Sequence, residues 1–291
     1  MLQILVNGLI AASVYTLVGI GFSLIYGVTR FFHFAHGVVF ASGAYVTFFF
    51  KAFLGLPLPT SIFLGILLSS LLGCFMEICI YRPFRRTNAS ASPLVLLLAS
   101  LGLYVLLQNL LSLFFGDHIK SIRSVDIAKT IDLIGTRITS IQILTICTCV
   151  ISFATIILVL KKSTIGRALR AVANDSELAS ISGIDSDRVI LSTFALGSAL
   201  AGIAGILVAL DVDMTPTMGM NALMMGVVAF IVGGSIPGVA LGALLLGMAQ
   251  HLGVWYISSQ WQDAIAFIIL LIFLLFRPQG FLGKKIKKAN I

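Results

Sequence analysis

Arginine, aspartate and glutamate residues are concentrated in one polar segment, residues 161–188, of a chain that is otherwise strongly apolar. Arg167 and Arg170 are three positions apart, which places both guanidinium groups on one face of a helix. Charged groups in this arrangement can bind the surface of another protein. The polar loops contain no pairing of a nucleophile with a base, which a catalytic site would require. The chemistry of this segment is therefore recognition rather than catalysis.

The spacing predicts two short helices within this segment. The first runs from Gly166 to Ala173, and the second covers Ser176–Ser182. Asp175 is a suitable N-cap for the second helix, and Gly183 stands where a glycine commonly ends one. The pair should present to the cytosol a basic face and an apolar face that contains Ala168, Leu169 and Val172. The alternative interpretation is a solvated loop that carries only the cations of a cytoplasmic connection.

The rest of the chain has the composition of a helical membrane protein. Hydrophobic residues make up 59% of the 291 residues and charged residues 10%, whereas soluble domains have roughly 25% charged residues. Apolar runs of about the length that crosses a bilayer occur at 1–28, 35–54, 59–81, 93–115, 140–160, 189–210, 221–250 and 260–276. We expect an all-α, polytopic transmembrane bundle of about eight spans, forming a single domain over residues 1–291.

The distribution of lysine and arginine predicts the orientation of these spans. Cytoplasmic connections are enriched in both residues. The predicted cytoplasmic segments are the loop with Arg82, Arg85 and Arg86, the segment 161–188, and the tail with Lys284, Lys285, Lys287 and Lys288. The mixed loop 116–139 and the acidic loop 211–220 should be external, as should the N-terminus. The net charge of +8 then reflects this bias, and we expect no nucleic-acid partner.

One apolar run must be interrupted if both ends of the chain are to lie on their predicted sides. A single crossing at 221–250 would place the basic tail outside. The break falls at residues 233–238, Gly-Gly-Ser-Ile-Pro-Gly, because proline lacks an amide donor and glycine tolerates the turn. Broken helices often line substrate routes in transporters. The alternative is an ordinary loop between two short spans.

Several functions are excluded by what the sequence lacks. There is no GxxxxGK[ST] phosphate-binding loop, so the chain has no such means of binding ATP itself. Ionisable side chains are rare within the spans, although carriers driven by protons need such groups as relays. The four cysteines lie in or beside apolar runs, and we expect no metal site. The sequence indicates a transport pathway without its own source of energy, and not an enzyme.

Glu177-Leu-Ala, followed by Gly183 six positions after the glutamate, resembles the EAA signature of the permeases of bacterial ABC importers. Longer stretches resemble one branch of them, the branched-chain amino acid permeases. These stretches are residues 7–45, residues 166–207, PTMGMNALMMGVVAFIVGG and AIAFIILLIFLLFRPQGFLG. The resemblance covers nearly the whole chain except the loop 116–139. Leu178 departs from the signature, which has alanine there, and the glycine turn at 233–238 is two residues shorter than the family pattern.

The resemblance implies a multi-pass subunit of the bacterial inner membrane. Its partners would be a related second permease, two ABC ATPase subunits that carry ATP and magnesium, and an external substrate-binding protein. This chain would hold no cofactor. The signature segment would form the surface that couples to the ATPase, with the residues Gly166, Arg167, Arg170, Asp175, Glu177 and Gly183. The cargo would be branched-chain amino acids, or alternatively urea, short amides or other amino acids. An ion-driven carrier, a channel or a structural membrane subunit are the alternatives from other classes.

Candidate residues for the translocation route are polar or flexible positions within the spans. They are His36, Tyr45, Asn221, Gly233, Gly234 and Ser235. His33 and His36 could instead form a weak pair of metal ligands, but we expect them to make ordinary polar contacts at a helix break. Tyr104, Gln108 and Asn109 are more simply explained as hydrogen bonds between helices. A hydrophobic amino acid needs only apolar walls and a few hydrogen bonds.

Overall fold

The computed structural model describes residues 1–87, 93–122, 130–133 and 135–283. Some charged residues used for the orientation lie outside the described residues, namely Arg123, Asp126, Lys129, Lys284, Lys285, Lys287 and Lys288.

The described part of the chain is built of α-helices, with a single short β-hairpin. The helices are α1 (Leu2–Thr29), α2 (His36–Ala52), α3 (Leu58–Met76), α4 (Arg82–Thr87), α5 (Pro93–Phe115), α6 (Ser140–Lys162), α7 (Thr164–Asn174), α8 (Ser176–Ile181), α9 (Ser186–Asp211), α10 (Met218–Gly233), α11 (Gly238–Gly253) and α12 (Gln262–Phe276). The antiparallel strands are β1 (Thr130–Leu133) and β2 (Thr136–Thr139), with Thr130 opposite Thr139.

The third span is longer than the sequence predicted. A π-helical turn, Glu77–Tyr81, joins α3 to α4, so the helix continues to Thr87 instead of ending at residue 81. Arg82, Arg85 and Arg86 therefore lie on a helix and not in a loop.

Six helical segments are long and apolar enough to cross a membrane in the described residues, and the bent pair α10–α11 would be a seventh. Helix α2 accounts for the difference from the expected eight. It has 17 residues, or about 25 Å at the rise of an α-helix, which is shorter than a bilayer core of about 30 Å. The prediction of a polytopic helical bundle is confirmed, with α2 as a short interior helix.

The core is organised around α1 and α9. In each of these helices 72% of the most apolar stretch is buried, whereas the corresponding value for α12 is 6%. Small residues allow this close packing. A Cβ atom at Gly21 of α1 would come within 2.7 Å of the Gly197 carbonyl oxygen of α9. The outer helices therefore have apolar side chains on the exposed surface of the bundle, while α1 and α9 hold the bundle together.

The predicted break in the run 221–250 is confirmed. Helices α10 and α11 are bent by 119° at a short break that follows Gly233. Gly234 adopts a left-handed conformation with φ 72°, and Ser235 Oγ accepts a hydrogen bond of 3.2 Å from the Gly238 amide. The vertex of this V lies beside the end of α1, because the rings of Tyr26 and Phe230 are 5.5 Å apart.

The opposite side of the bundle carries the loop that the sequence predicted to be external. Gln3, at the start of α1, holds strand β2 through both backbone groups of Arg137, at 3.1 Å to the oxygen and 2.9 Å from the amide. Lys120 pairs with Met214 through their backbones. The N-terminus, the hairpin and the loop before α10 therefore share one face, in agreement with the predicted orientation. The hairpin itself was not predicted.

Candidate functional site

The polar segment after α6 folds as two short helices, as the sequence predicted. Ser163 Oγ accepts a hydrogen bond of 2.9 Å from the Gly166 amide at the start of α7. Asp175 Oδ1 accepts bonds of 2.9 and 3.0 Å from the amides of Glu177 and Leu178, which caps α8. Gly183 follows α8 with φ 81°. These local signals are sufficient to begin and end both helices.

Gly166 shapes the corner between α6 and α7. It is buried, and a Cβ atom there would overlap the carbonyl oxygens of Val159 and Leu160 in the last turn of α6. Only glycine therefore allows α7 to leave α6 at this angle. Of the six predicted coupling residues, Gly166 is the one that does not reach the surface.

The apolar face of α7 points inward, contrary to the sequence prediction. Leu169 and Val172 are 3% and 4% exposed and belong to the same hydrophobic core as α1 and α9, and Ala168 packs against that core. The predicted apolar surface for a cytosolic partner is therefore wrong, because the bundle itself covers those side chains. The sequence pattern indicates an amphipathic helix, but it does not determine whether the apolar face packs against the bundle or against a partner protein.

A different set of apolar side chains is exposed on this segment. Ile165, Leu178 and Ile181 are 49%, 61% and 77% exposed. The predicted coupling residues Arg167, Arg170, Asp175, Glu177 and Gly183 are also exposed. We refer to the exposed set Ile165, Arg167, Arg170, Glu177, Leu178 and Ile181 as the docking surface, after the coupling role that the sequence predicts for this segment. Sequence analysis missed its apolar part, although Leu178 and Ile181 are three positions apart and so share one helix face.

Two polar links tie the docking surface to the bundle. The first joins the end of α7 to the end of α1, where Arg30 Nη2 donates a hydrogen bond of 2.8 Å to the Ala173 carbonyl oxygen. The second joins α4 to the start of α9, where Arg82 and Arg86 pair with Asp187 at 2.7 and 2.6 Å. These links lie on the side opposite the hairpin, so the docking surface has a firm base at the predicted cytoplasmic face.

The candidate route residues do not converge on one site. Asn221 is exposed in the first turn of α10, whereas Gly233, Gly234 and Ser235 lie at its far end. A separation of twelve or more helical residues corresponds to roughly 20 Å. Tyr45 is buried on α2, with its ring 5.0 Å from that of Phe115. The structure therefore leaves these assignments as predictions, spread along α2, α10 and the vertex.

His33 and His36 occupy the break between α1 and α2, and both are fully buried. Tyr81 Oη lies 3.1 Å from His33 Nδ1, which confirms a polar contact for His33. For His36 the prediction is wrong, because neither of its buried ring nitrogens has a hydrogen-bond partner within the described residues. His36 packs against Gly21 of α1. Within the described residues, no group of three histidine, cysteine or acidic side chains could hold a metal ion. The histidines belong to a buried aromatic cluster with Tyr81 and Phe194, whose rings lie 5.3 and 5.1 Å from His33.

Comparison with protein families gives one match that spans most of the chain. The family model described as "Branched-chain amino acid transport system / permease component" matches residues 4–274. The match therefore includes the bundle, the docking surface and the broken helix.

Individual relatives show the same range. The chain is 33% identical to the high-affinity branched-chain amino acid transport system permease protein LivH of Escherichia coli, over 97% of this chain and 96% of the relative. It is 34% identical, with the same coverage, to the corresponding protein BraD of Pseudomonas aeruginosa. The ribose import permease protein RbsC of Haemophilus influenzae is 28% identical over 46% of this chain.

Proposed function

The chain belongs to the family of branched-chain amino acid transport permease components, and from that premise we propose that it is the membrane-spanning subunit of an ATP-driven importer. Its cargo is proposed to be the branched-chain aliphatic amino acids named in the titles of the LivH and BraD relatives. The bundle supplies the conduit through the inner membrane of a bacterium. ATP is bound and hydrolysed on separate subunits, and this chain is not an enzyme.

The exposure of α8, in a segment that is tied to the bundle, is the observation that supports this proposal beyond the family match. Leu178 and Ile181 are 61% and 77% exposed, flanked by Glu177 and the cations of α7. Exposed apolar groups with a polar rim are typical of a protein interface. Because Arg30 and Asp187 tie this segment to the bundle, a partner bound to it can move the transmembrane helices. The proposed partner is one of two ABC ATPase subunits.

Two further partners complete the proposed importer. A second, related permease would cover part of the apolar outer surface, to which α5, α6 and α12 contribute exposed side chains. An external binding protein would deliver the cargo to the face with the hairpin and the N-terminus. Selectivity can reside mainly in that protein, since the conduit itself needs little more than apolar walls.

Reconstitution tests the proposal directly. The chain, its companion permease, the two ATPases and the binding protein would be assembled in proteoliposomes, and uptake of labelled leucine, isoleucine, valine, urea and ribose would be measured with and without ATP. We expect ATP-dependent uptake of the three branched-chain amino acids. Uptake that survives without ATP and collapses with an uncoupler would support an ion-driven carrier instead.

Charge reversal on the docking surface tests how the chain binds its ATPase. Arg170→Glu and Glu177→Arg should reduce co-purification of the ATPase subunits while leaving membrane insertion intact. Arg137→Glu is the matched control for ATPase co-purification, and for that readout alone, because Arg137 is 82% exposed on the opposite face, in the hairpin. Unchanged co-purification and uptake in both docking variants would count against the proposed surface.

A further inference from the structure

Arg30 has an unusual backbone conformation at the junction between α1 and α2. It is the only non-glycine residue with positive φ in the part of the chain that the structure describes, with φ 57° and ψ 19°. Left-handed conformations are unfavourable for residues with a Cβ atom and are maintained only where the surroundings hold them. Glycine or asparagine would be the ordinary choice at this position. The presence of arginine therefore points to a function for its side chain.

The side chain of Arg30 crosses to the end of α7. Its Nη2 donates a hydrogen bond of 2.8 Å to the carbonyl oxygen of Ala173, which lies 143 residues away in the sequence. Ala173 is in the last turn of α7, where carbonyl groups lack helical partners and a cation is favourable. The next residues lead through the Asp175 cap into α8. Arg30 therefore holds the corner between α7 and α8, from which the docking surface projects.

The backbone on the other side of Arg30 enters the buried aromatic cluster. Phe31 follows directly and is 1% exposed, with its ring 5.1 Å from that of Tyr81. His33 is two residues further on, is fully buried, and contacts both Tyr81 and Phe194. Arg30 thus connects the exposed corner between α7 and α8 to the interior of the bundle, at the break between α1 and α2.

We propose that Arg30 is the positioning residue that transmits movement of the α7–α8 corner to the break between α1 and α2. This proposal rests on the proposed function, since the movement is that imposed by the ATPase at the docking surface. When the corner shifts, the guanidinium group carries the shift to Arg30, and the chain carries it to Phe31 and His33. The break between α1 and α2 therefore moves as the ATPase binds and hydrolyses ATP.

The other contacts of the corner reach the bundle without a direct chain connection to the α1–α2 break. Leu169 and Val172 pack into the core, and apolar packing permits sliding because it is not directional. Asp187 binds Arg82 and Arg86, which directs force to α4 and the end of the third span. Arg30 alone among these links leads by the chain itself to the α1–α2 break. Its loss should uncouple transport from ATP hydrolysis without preventing docking.

The test is the ratio of cargo taken up to ATP hydrolysed by the reconstituted importer carrying Arg30→Asn. Asparagine tolerates the left-handed conformation, so this variant removes the guanidinium group without adding backbone strain. We expect ATPase co-purification and ATP hydrolysis close to those of the wild type, with a ratio that falls about five- to tenfold, a change typical of residues along a coupling route. Arg30→Lys, which keeps a charged donor, should restore part of the ratio.

Arg188→Asn is the matched control. Arg188 is 87% exposed near the same face, and among the described residues its side chain pairs only with Asp185, three residues away, so the ratio should not change. The proposal is overturned if uptake and ATP hydrolysis fall in parallel in Arg30→Asn, or if the ratio stays at the wild-type value. Should Arg30→Asn fail to accumulate in the membrane, the same ratio in Arg30→Gly and Arg30→Lys decides between these outcomes. A failure of the proposed function would show itself differently, because the wild-type importer would then lack ATP-driven uptake.

Discussion

Arg82 Nε donates a hydrogen bond of 2.9 Å to Asp187 Oδ2, which joins α4 to the first turn of α9 directly after the docking surface. A second arginine, Arg86, reaches the same oxygen. Asp187 is also an acidic residue at a helix N-terminus, a favourable position for negative charge. The end of the third span and the start of the central helix α9 are thus held together on the face where α7 and α8 project.

Asp187→Asn should lower the stability of the protein, because it leaves two arginines without their carboxylate. Asp187 and Arg82 are only 27% and 34% exposed, so we expect a loss of about 1 kcal/mol, at the upper end for partly exposed ion pairs. The measurement is the midpoint of thermal unfolding in detergent at low and high salt. The difference between the two proteins should shrink as salt is added.

The control for this prediction is Asp132→Asn. Asp132 pairs with Arg137 at 3.5 Å, but both side chains are more than three quarters exposed, so this variant should unfold like the wild type. Equal unfolding midpoints for Asp187→Asn and the wild type would show that the link contributes nothing to stability.

Leu178→Asp and Ile181→Asp should weaken binding of the ATPase subunits. Both side chains are exposed on one face of α8, and an apolar group buried on docking contributes enough that its loss weakens an interface about tenfold. The affinity would be measured by titration of the purified ATPase onto the reconstituted permease pair. Leu178→Met and Ile181→Val keep an apolar surface and should bind as the wild type does. Binding that is insensitive to either aspartate would place the interface elsewhere.

Gly219→Ala should destabilise the bundle. Gly219 of α10 packs directly on the backbone of Gly37 in α2, so a methyl group would overlap the Gly37 carbonyl oxygen. Overpacking of this kind costs about 1–3 kcal/mol, measured as a lower thermal midpoint. The control is Gly102→Ala on α5, where nothing lies within 4 Å of the added methyl group. If Gly219→Ala unfolded at the same temperature as the wild type, α2 and α10 would be able to move apart without loss of stability.

Gly280→Ala should loosen the turn between α10 and α11. The tail after α12 folds back on this turn, with Phe281 and Leu282 donating backbone hydrogen bonds of 2.8 and 3.0 Å to the carbonyl oxygens of Val232 and Gly233. Gly280 has φ 70°, and an added Cβ would lie 2.7 Å from the Ile231 carbonyl oxygen. We expect faster hydrogen exchange at residues 230–234 and easier proteolysis of residues 277–283.

Gly55→Ala is the control for the tail. Gly55 has a similar φ of 64° but nothing within 4 Å of an added Cβ, so it shares the conformational strain and lacks the contact. The two variants would behave alike if only backbone strain mattered, and the proposed bracing of the turn by the tail would then be wrong.

The boundaries of α7 and α8 could be predicted because their signals are local. Asp175 caps α8 through the amides of the two residues that follow Ser176, and Gly183 ends it with a positive φ. The break after Gly233 could likewise be predicted from glycine and proline together with the distribution of cations. The caps and the glycine–proline turn depend on residues that are neighbours in the chain, and the cations add only the side of the membrane on which each loop is predicted to lie.

The site itself could be predicted only in part. Leu169 and Val172 were expected to face a partner, but they face the bundle, whereas Leu178 and Ile181 are exposed. The route candidates Asn221 and Ser235 lie at opposite ends of α10 and therefore do not form one site. Which side chains are buried and which residues come together depends on the packing of the helices in space. The periodicity of a single helix does not determine that packing.

The sequence by itself determined that this protein is a helical membrane bundle and that it contains a capped pair of short helices, and it predicted which face of the bundle carries the basic segments. These properties follow from the length of the apolar runs, from the placement of lysine and arginine along the chain, and from capping residues, all of which can be read without knowing which helices pack together. Only the tertiary structure decided that Arg30 meets Ala173, that Arg82 meets Asp187, and that the tail braces the turn after Gly233. Those contacts join residues far apart in the chain, so they depend on how the helices pack against one another and not on the local sequence.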